Sequence, residues 1–358
     1  MAMSEATAIL LDLDAQSGAL ARRWRRWEEE CLRALAPART ISVHGAAEAE
    51  AAAREAALEG TTKLVAMGGG AVAHGVLNAL MSLAESHRAG IKFGVLALDG
   101  ADAWARTLGW PLGFLRQLDA LRAGHTLPYD IGQVECLDDL GRSIRRYFLN
   151  GASFGIAGQI RAAWRRSGGE GAAARPDAPQ ALQSIARTLR LLTGRDDAWV
   201  RLESGASGSA RGGAEIYRGP WVAGMLMVGR YYPRLGEVAP EADPCDGLLN
   251  LVGLTGRPGW RALGWLTGLW PRAGGAGLTV AQGPEFSAAG VGEPIHLELD
   301  GVLAGLLPAT FLLLPRALNA IVPTVPARLM KPEFKPIRAV AQRPLVAGRV
   351  RAKWPIGA

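Results

Sequence analysis

The stretch that decides the fold is 61-TTKLVAMGGGAVAHG-75. An apolar run, Lys63–Ala66, leads into three glycines, and a helical pattern follows from Ala71 to about Ser86. A strand that turns into a helix through glycine exposes several backbone N–H groups and the positive end of the helix, and both attract an anion. Glycine also lets the backbone come close to such a ligand. No Gly-Lys-Ser/Thr follows, so the turn is not a P-loop. Gly68, Gly70 and Ala73 fit the loose Gly-x-Gly-x-x-Ala form of a dinucleotide turn. That turn normally follows a first strand and is answered by an acid about 20 residues later. Here it follows a third strand, and Asp99 lies about 30 residues on. From these residues alone, a tight structural turn and a phosphate-binding turn both stay open.

Around the turn the chain alternates. Ala8–Leu13, Thr40–Val43, Lys63–Ala66 and Lys92–Leu98 read as strands, with helical patterns over Gly18–Leu35, Ala46–Leu58 and Ala71–Ser86 between them. This rhythm predicts a parallel sheet covered by helices. After about His125 it changes. Ile131–Val134, Arg146–Leu149, Trp199–Leu202, Val222–Val228, Leu248–Gly253 and Ile295–Leu299 read as strands with long or Gly/Pro-rich connections, a strand-rich and partly antiparallel second half. Ser167–Pro179 and Gly205–Gly213 read as small-residue loops. Pro258–Trp270 reads as a helix with an apolar stripe of Trp260, Leu263, Leu266 and Trp270, and the tail beyond Pro323 is basic and interrupted by proline.

With 358 residues, the chain is long enough for two domains. Apolar residues make up 49% and charged residues 20%, a globular composition. The net charge of +7 favours anionic partners. Cys31, Cys136 and Cys245 are odd in number and far apart; they suggest neither a disulfide frame nor a zinc site and fit a reducing compartment. The sequence starts with no secretory-type segment. The longest apolar run, about Val302 to Leu314, contains a proline and falls short of the roughly 18 residues a membrane span needs. No His/Cys/carboxylate group has metal-ligand spacing.

Three further motifs each have two readings. Gly151-Ala152-Ser153-Phe154-Gly155 matches a nucleophile elbow, placed after one strand and before a helical Ile156–Arg166. A serine hydrolase at Ser153 would need a later histidine, and the only one is His296, inside a strand. Asp246-Gly247 and Asp300-Gly301 adjoin strands; they are Asp-Gly turns, or else acids able to hold Mg²⁺ through water. Arg22-Arg23-Trp24-Arg25-Arg26-Trp27 is either an amphipathic helix with its tryptophans buried or a patch for an anionic surface.

Read in order, these segments resemble the lipid-kinase family of bacterial diacylglycerol kinases, sphingosine kinases and ceramide kinases. Asp14-Ala15-Gln16-Ser17-Gly18 stands where the family has Asn-Pro-x-Ser-Gly, and Met67–Leu80 where it has Gly-Gly-Asp-Gly-Thr and a helix. Ala97–Gly109 is similar to the second nucleotide loop, and Arg146–Gly155 to a Phe-Leu-Asn-x-x-Ser-x-Gly segment, which accounts for the apparent elbow. Ala239–Ala242 with Asp246–Leu249 resembles Pro-x-Ala…Asp-Gly-Leu-Leu. Leu299-Asp300-Gly301 and Leu314–Pro323 resemble the closing Leu-Asp-Gly-Glu and Pro-x-Ala-Leu segments. The resemblance implies an NAD kinase/diacylglycerol kinase-like two-domain fold. Residues 1–125 would form an α/β nucleotide-binding domain, joined by about 305–325 returning from the C-terminal side. Residues 126–304 would form a β-rich, sandwich-like lipid domain, and 326–358 a basic tail.

The resemblance also implies ATP and Mg²⁺ as cofactors, with nucleotide held by Ser17, Gly68, Gly69, Gly70, Ala71, Val72, Asp99, Gly100 and Asp102, and Mg²⁺ organised by Asp246. Asp300 and Gly301 would close the site. The departures fall on the polar groups. Gly70, Ala71 and Val72 replace Asp, Gly and Thr, and Val302 replaces the Glu expected to take the lipid hydroxyl proton. Asp99 and Asp102 are the candidate substitutes. The expectation is therefore a lipid-kinase fold with degenerate chemistry (a pseudokinase), binding a lipid, an anionic membrane or a partner, with a divergent active lipid kinase as the alternative. Its expected place is the cytoplasm, peripheral on the inner membrane face, with no nucleic-acid partner.

Overall fold

A computed structural model describes residues 6–12, 19–97, 102–155, 158, 199–205, 214–233, 236–255, 278–292 and 294–323 of the chain. Asp14, Ser17, Asp99 and Gly100, the segments Ile156–Arg166 (except Gly158) and Pro258–Trp270, and the basic tail fall outside them.

The first part runs β1 (Thr7–Asp12), α1 (Ala19–Ala34), β2 (Ala38–Val43), α2 (Gly45–Leu58), β3 (Lys63–Met67), α3 (Gly70–Ser82), α4 (Glu85–Arg88), β4 (Lys92–Leu96), α5 (Ala103–Thr107) and α6 (Phe114–Ala123). Strands β2, β1, β3 and β4 lie side by side in that order, all parallel. Every residue of β1 and β3 is buried. Apolar runs without alternation are what a parallel sheet covered on both faces requires. The helix after β3 ends at Ser82, short of the expected Ser86, and β4 ends at Leu96.

The second part is β5 (Thr126–Leu137), β6 (Ser143–Phe148), β7 (Gly151–Gly155), β8 (Trp199–Ser204), β9 (Ala214–Met227), β10 (Tyr231–Tyr232), β11 (Gly236–Glu237), β12 (Leu249–Thr255), β13 (Leu278–Gly283), β14 (Glu285–Val291), β15 (His296–Leu299) and β16 (Val302–Ile321). Its strand pairs are antiparallel. The apolar run from Val302, noted in the sequence only as too short for a membrane span, is the start of the 20-residue β16. This strand pairs with β15, β14 and β5, and at Asn319 and Ala320 runs parallel to β4. Through it both parts belong to one 14-stranded sheet. Around this junction Phe93 stacks on Trp104 at 4.8 Å, and Trp104 meets Tyr129 edge-on at 6.0 Å.

The glycine turn is held from behind by the packing of α2 on α3. The face of α2 that turns inward carries Ala49, Ala53, Ala56 and Ala57, and small side chains let the helices come close. At the crossing, a Cβ on Gly75 would lie 2.3 Å from the Ala46 carbonyl oxygen and 2.8 Å from the Ala49 Cβ. Gly75→Val should therefore separate the two helices at a cost at the upper end of the roughly 1–3 kcal/mol typical of overpacking. Urea unfolding of the variant is expected to show a clearly lower midpoint; an unchanged midpoint would refute the close packing.

Candidate functional site at the glycine turn

The three glycines each do something different. Gly68 has φ 123°, a region that favours glycine, and there the chain turns out of β3. Gly69 is the extended residue before α3, and a Cβ there would lie 4.0 Å from Oδ2 of Asp12, at the end of β1. A Cβ on Gly70 would lie 3.2 Å from the carbonyl oxygen of Asp300, tighter than ordinary contact. Ala71 is half-buried, and Val72 is fully buried in the core. The turn thus offers backbone N–H groups and helix polarity to an anion, while its side chains at 70–72 offer no polar atom.

Asp300 and Gly301 close the β15–β16 hairpin, in which Leu299 pairs with Val302. Both have positive φ, 49° and 87°, as a two-residue hairpin turn with matching twist demands. The Asp-Gly turn expected from the sequence is present, and its aspartate does more than turn the chain. The buried Asp300 carboxylate accepts the backbone N–H groups of Leu149 (2.6 Å), Asn150 (2.8 Å) and Gly151 (3.1 Å). On its α3 side, His74 Nδ1 is 3.7 Å from Asp300 Oδ2. His74 is itself buried, and its Nε2 lies 3.3 Å from the amide of Asn78. That amide reaches across to β6: Asn78 Nδ2 donates to the Tyr147 carbonyl, and Tyr147 N–H donates back to Asn78 Oδ1. The helix that follows the glycine turn is stapled to the second part of the fold at Tyr147, and His74 brings it alongside Asp300. Val302, at the position of the expected base, is half-buried and brings no acid to this cleft.

The second nucleotide-loop segment reaches the same place. Asp102 caps α5, its Oδ1 accepting the Ala105 N–H at 2.8 Å. Thr107 Oγ1 donates to Asn150 Oδ1 at 3.0 Å, and the Arg106 guanidinium lies over the Tyr231 ring at 4.1 Å. The buried Gln117 of α6 exchanges two hydrogen bonds with Ala97, which fixes the chain where it leaves β4. So Gly68–Val72, Asp102 (through α5) and Asp300–Gly301 converge on the Leu149–Gly151 turn.

Asp246 lies in a second acidic region. Asp130, buried at the start of β5, accepts the N–H groups of Gly247 (2.8 Å) and Arg316 (2.7 Å), which ties that turn to β16. The Asp246 carboxyl folds back to accept the Leu248 N–H. Loss of hydration, then the charges of Asp243 and Asp130, push it up to about 6. Tyr129, whose hydroxyl donates to the Leu149 carbonyl, borders both regions: burial first, then Asp300, Cys245 and Asp130, raise its phenol well above the usual value. Among the described residues, no group of three or more His, Cys, Asp or Glu side chains could hold a metal ion. The described donor set therefore does not by itself make a Mg²⁺ site.

The nucleophile elbow is not present. Gly151–Gly155 is a strand, β7, paired on both sides, and Ser153 is fully buried. An elbow needs its serine exposed on a sharp turn; here the hydroxyl receives a hydrogen bond from Tyr232, which also lies 3.2 Å from Glu298. The glycine spacing fits a strand because glycine lets the neighbours pack closely: a Cβ on Gly151 would lie 2.6 Å from Met227 Sδ, and Gly155 has φ 101°. Residues that sequence reasoning passed over are Asp12, His74, Asn78, Gln117, Asp130 and Asn150. For Asn150 there was a signal, the Asn in the Phe-Leu-Asn segment; the others stand out only once the chain is folded.

A parallel α/β half joined by a returning strand to a β-rich half, with a glycine turn at the cleft, is the diacylglycerol kinase-like fold. Residues 7–134 match the family model of the diacylglycerol kinase catalytic domain. Over the whole length the fold is similar to crystal structures of Bacillus anthracis str. Sterne proteins described as diacylglycerol kinases. One has 16% identity and a TM-score of 0.64, covering 90% of this chain and 98% of that one. Another has 14% identity and a TM-score of 0.60, covering 90% and 98%. No curated protein sequence matches significantly. No described helix is long and apolar enough to cross a membrane.

Two measurements test this geometry. Asp300→Ala leaves three buried N–H groups unsatisfied, at about 1–3 kcal/mol each. It should lower stability by at least about 3 kcal/mol in denaturant unfolding, with Asp300→Asn recovering part of the loss; equal stability of all three proteins would refute the clamp. For Asp246, the folded carboxyl holds its proton more tightly than the unfolded one, so its contribution favours folding below about pH 4 and fades as pH rises through 6. Asp246→Asn should raise the melting temperature at pH 7–8 and leave it unchanged below about pH 4. The reverse dependence would overturn the assignment.

Proposed function

We propose that this chain is a lipid-kinase-fold protein whose phosphotransfer chemistry is degenerate and which acts by binding lipid or a partner, holding nucleotide weakly. The observation that carries the reading is the closure at Gly70. A side chain at 70 would start against the backbone of the facing turn, since a Cβ there would lie 3.2 Å from the Asp300 carbonyl oxygen. Val72 is buried in the core, and Val302 supplies no proton acceptor. In phosphoryl transfer, positioning and neutralisation of the phosphates do most of the work, with metal ions bridging their oxygens. A general base typically adds about 10²–10⁴-fold. Both contributions are reduced here. Backbone N–H groups at the glycine turn still favour an anion, which supports weak nucleotide binding.

A second reading, a divergent active kinase acting on diacylglycerol, a sphingoid base or ceramide with ATP and Mg²⁺, is favoured by Asp12. This buried carboxylate stands beside the glycine turn and could take the place of the lost acid. Asp102 is less suited, because one of its oxygens caps α5.

One experiment separates the two: thermal shift with ATP and Mg²⁺, together with phosphate transfer to the three lipid classes. A ligand present at its own Kd stabilises by only about 0.4 kcal/mol. The expectation is a small shift at millimolar nucleotide and no transfer. Transfer that is abolished by Asp12→Asn or Asp246→Ala would overturn the first reading in favour of the second.

A further inference from the structure

Polar side chains buried in an apolar helix have few partners to choose from, and in α3 the bonds made by Asn78 decide the state of His74. Asn78 reaches the open side of β6, a strand that pairs only with β5 among the described residues. Its Oδ1 accepts the Tyr147 N–H at 3.0 Å, and its Nδ2 donates to the Tyr147 carbonyl at 3.2 Å and to the His74 carbonyl at 2.9 Å. These bonds fix which end of the amide is which. The NH₂ end is the one that lies 3.3 Å from His74 Nε2. An amide NH₂ group can face only an acceptor, so Nε2 carries no proton and the neutral ring keeps its hydrogen on Nδ1.

The other ring nitrogen meets Asp300. Nδ1 has no hydrogen-bond partner among the described residues, and Asp300 Oδ2 is 3.7 Å away, within ion-pair reach but too far for a hydrogen bond. Both side chains are buried, and three backbone N–H groups hold the carboxylate in place. Other ionisable groups stand on the elements packed against α3. Lys63 of β3 reaches to α6, while Glu48, Arg54 and Glu55 of α2, Arg145 of β6 and Arg316 of β16 are exposed. Asp12 of β1 is buried, and Glu50 of α2 and Arg146 and Tyr147 of β6 are half-buried. Among the described residues, Asp300 is the one acid that pairs with His74.

A proton added at Nε2 changes both sides of the ring at once. The new N–H meets the hydrogens of the Asn78 NH₂ group, so an acceptor facing a donor becomes two donors facing each other. The positive ring is drawn to Asp300 through a buried, weakly screened space, and a shift of about 1 Å brings Nδ1 to the roughly 2.8 Å of a charge-assisted hydrogen bond. Both effects act in the same direction, away from β6 and toward the hairpin. We propose that His74 is a proton-controlled coupling residue: neutral, it supports the Asn78 link between α3 and β6; protonated, it moves to Asp300 and that link opens. Because α3 begins at Gly70, the glycine turn is tied to the β-rich half through β6 in one state and through the Asp300 hairpin in the other.

The switch needs no nucleotide, lipid or partner, so its test stands apart from the function proposed above. Nitrogen NMR of the full chain with isotope-labelled histidine reads the tautomer and charge of His74, whose signals are identified by their absence in His74→Gln. Hydrogen exchange, corrected for the pH dependence of an unstructured chain, reads the Tyr147 amide, which donates to Asn78. Histidine changes charge within reach of neutral pH, so the measurement runs from about pH 8 to about pH 5.5. The Nδ1–H form is expected at the upper end. As His74 gains its proton, Tyr147 protection should fall in step by about tenfold, the size of one hydrogen bond's net contribution. The Ile144 amide, elsewhere in β6, should keep its protection. In His74→Gln the pH response should vanish, and in Asn78→Ala the Tyr147 amide should exchange fast at every pH. An Nε2–H tautomer at the upper end, a ring that stays neutral throughout the range, Tyr147 protection that does not follow the titration, or the same pH response in either variant would each overturn the switch.

Discussion

The molecule is organised around one carboxylate. Asp300 sits at a hairpin tip with a backbone conformation few residues tolerate, and its oxygens collect three consecutive N–H groups from the Leu149–Gly151 turn. Buried N–H groups must find partners, and for these three the Asp300 oxygens are the partners. Fixing that turn sets Asn150, which holds Thr107 and so α5, and sets Leu149, whose carbonyl receives the Tyr129 hydroxyl. From the other side His74 brings α3, and the glycine turn with it, against the same carboxylate. The cleft has its shape because four chain segments are referred to one acid.

This changes the meaning of a retained motif. In the sequence, Asp300-Gly301 without its following acid suggests a site stripped of chemistry. In the fold, Asp300 earns its place structurally, whether or not anything is phosphorylated. A scaffold residue of this kind is costly to replace, because its loss would leave several buried polar groups without partners at once. Gly70 illustrates the complementary case: with no side chain there, the Asp300 carbonyl oxygen comes within 3.2 Å of where a Cβ would stand.

The α/β half was legible because its signals are local. Continuous apolar runs such as TAILLD and KLVAM, spaced by Ala-rich helical patterns, read as buried parallel strands without knowledge of partners. The second half was only partly legible. β16 contains two prolines, Pro308 and Pro315, and a bulged register, so no single period marks it as one strand. The Gly151–Gly155 segment imitated an elbow because glycine serves tight turns and close strand packing equally well. In the cleft, Gly68–Val72 and Asp300 were found from order along the chain. His74, Asn78 and Gln117 were not, since a polar residue inside an apolar helix shows its purpose only when its partner, 20 or 69 positions away, is known.

The long returning strand has a mechanical consequence. Two halves joined by a flexible linker open and close about a hinge. Here β16 is hydrogen-bonded to β15, β14 and β5 at one end and to β4 at the other, and β5 follows it through the junction. Rotating one half on the other would break ladder bonds on both sides of the same strand. The pairing opposes a hinge and favours deformation as a change of twist spread along the sheet.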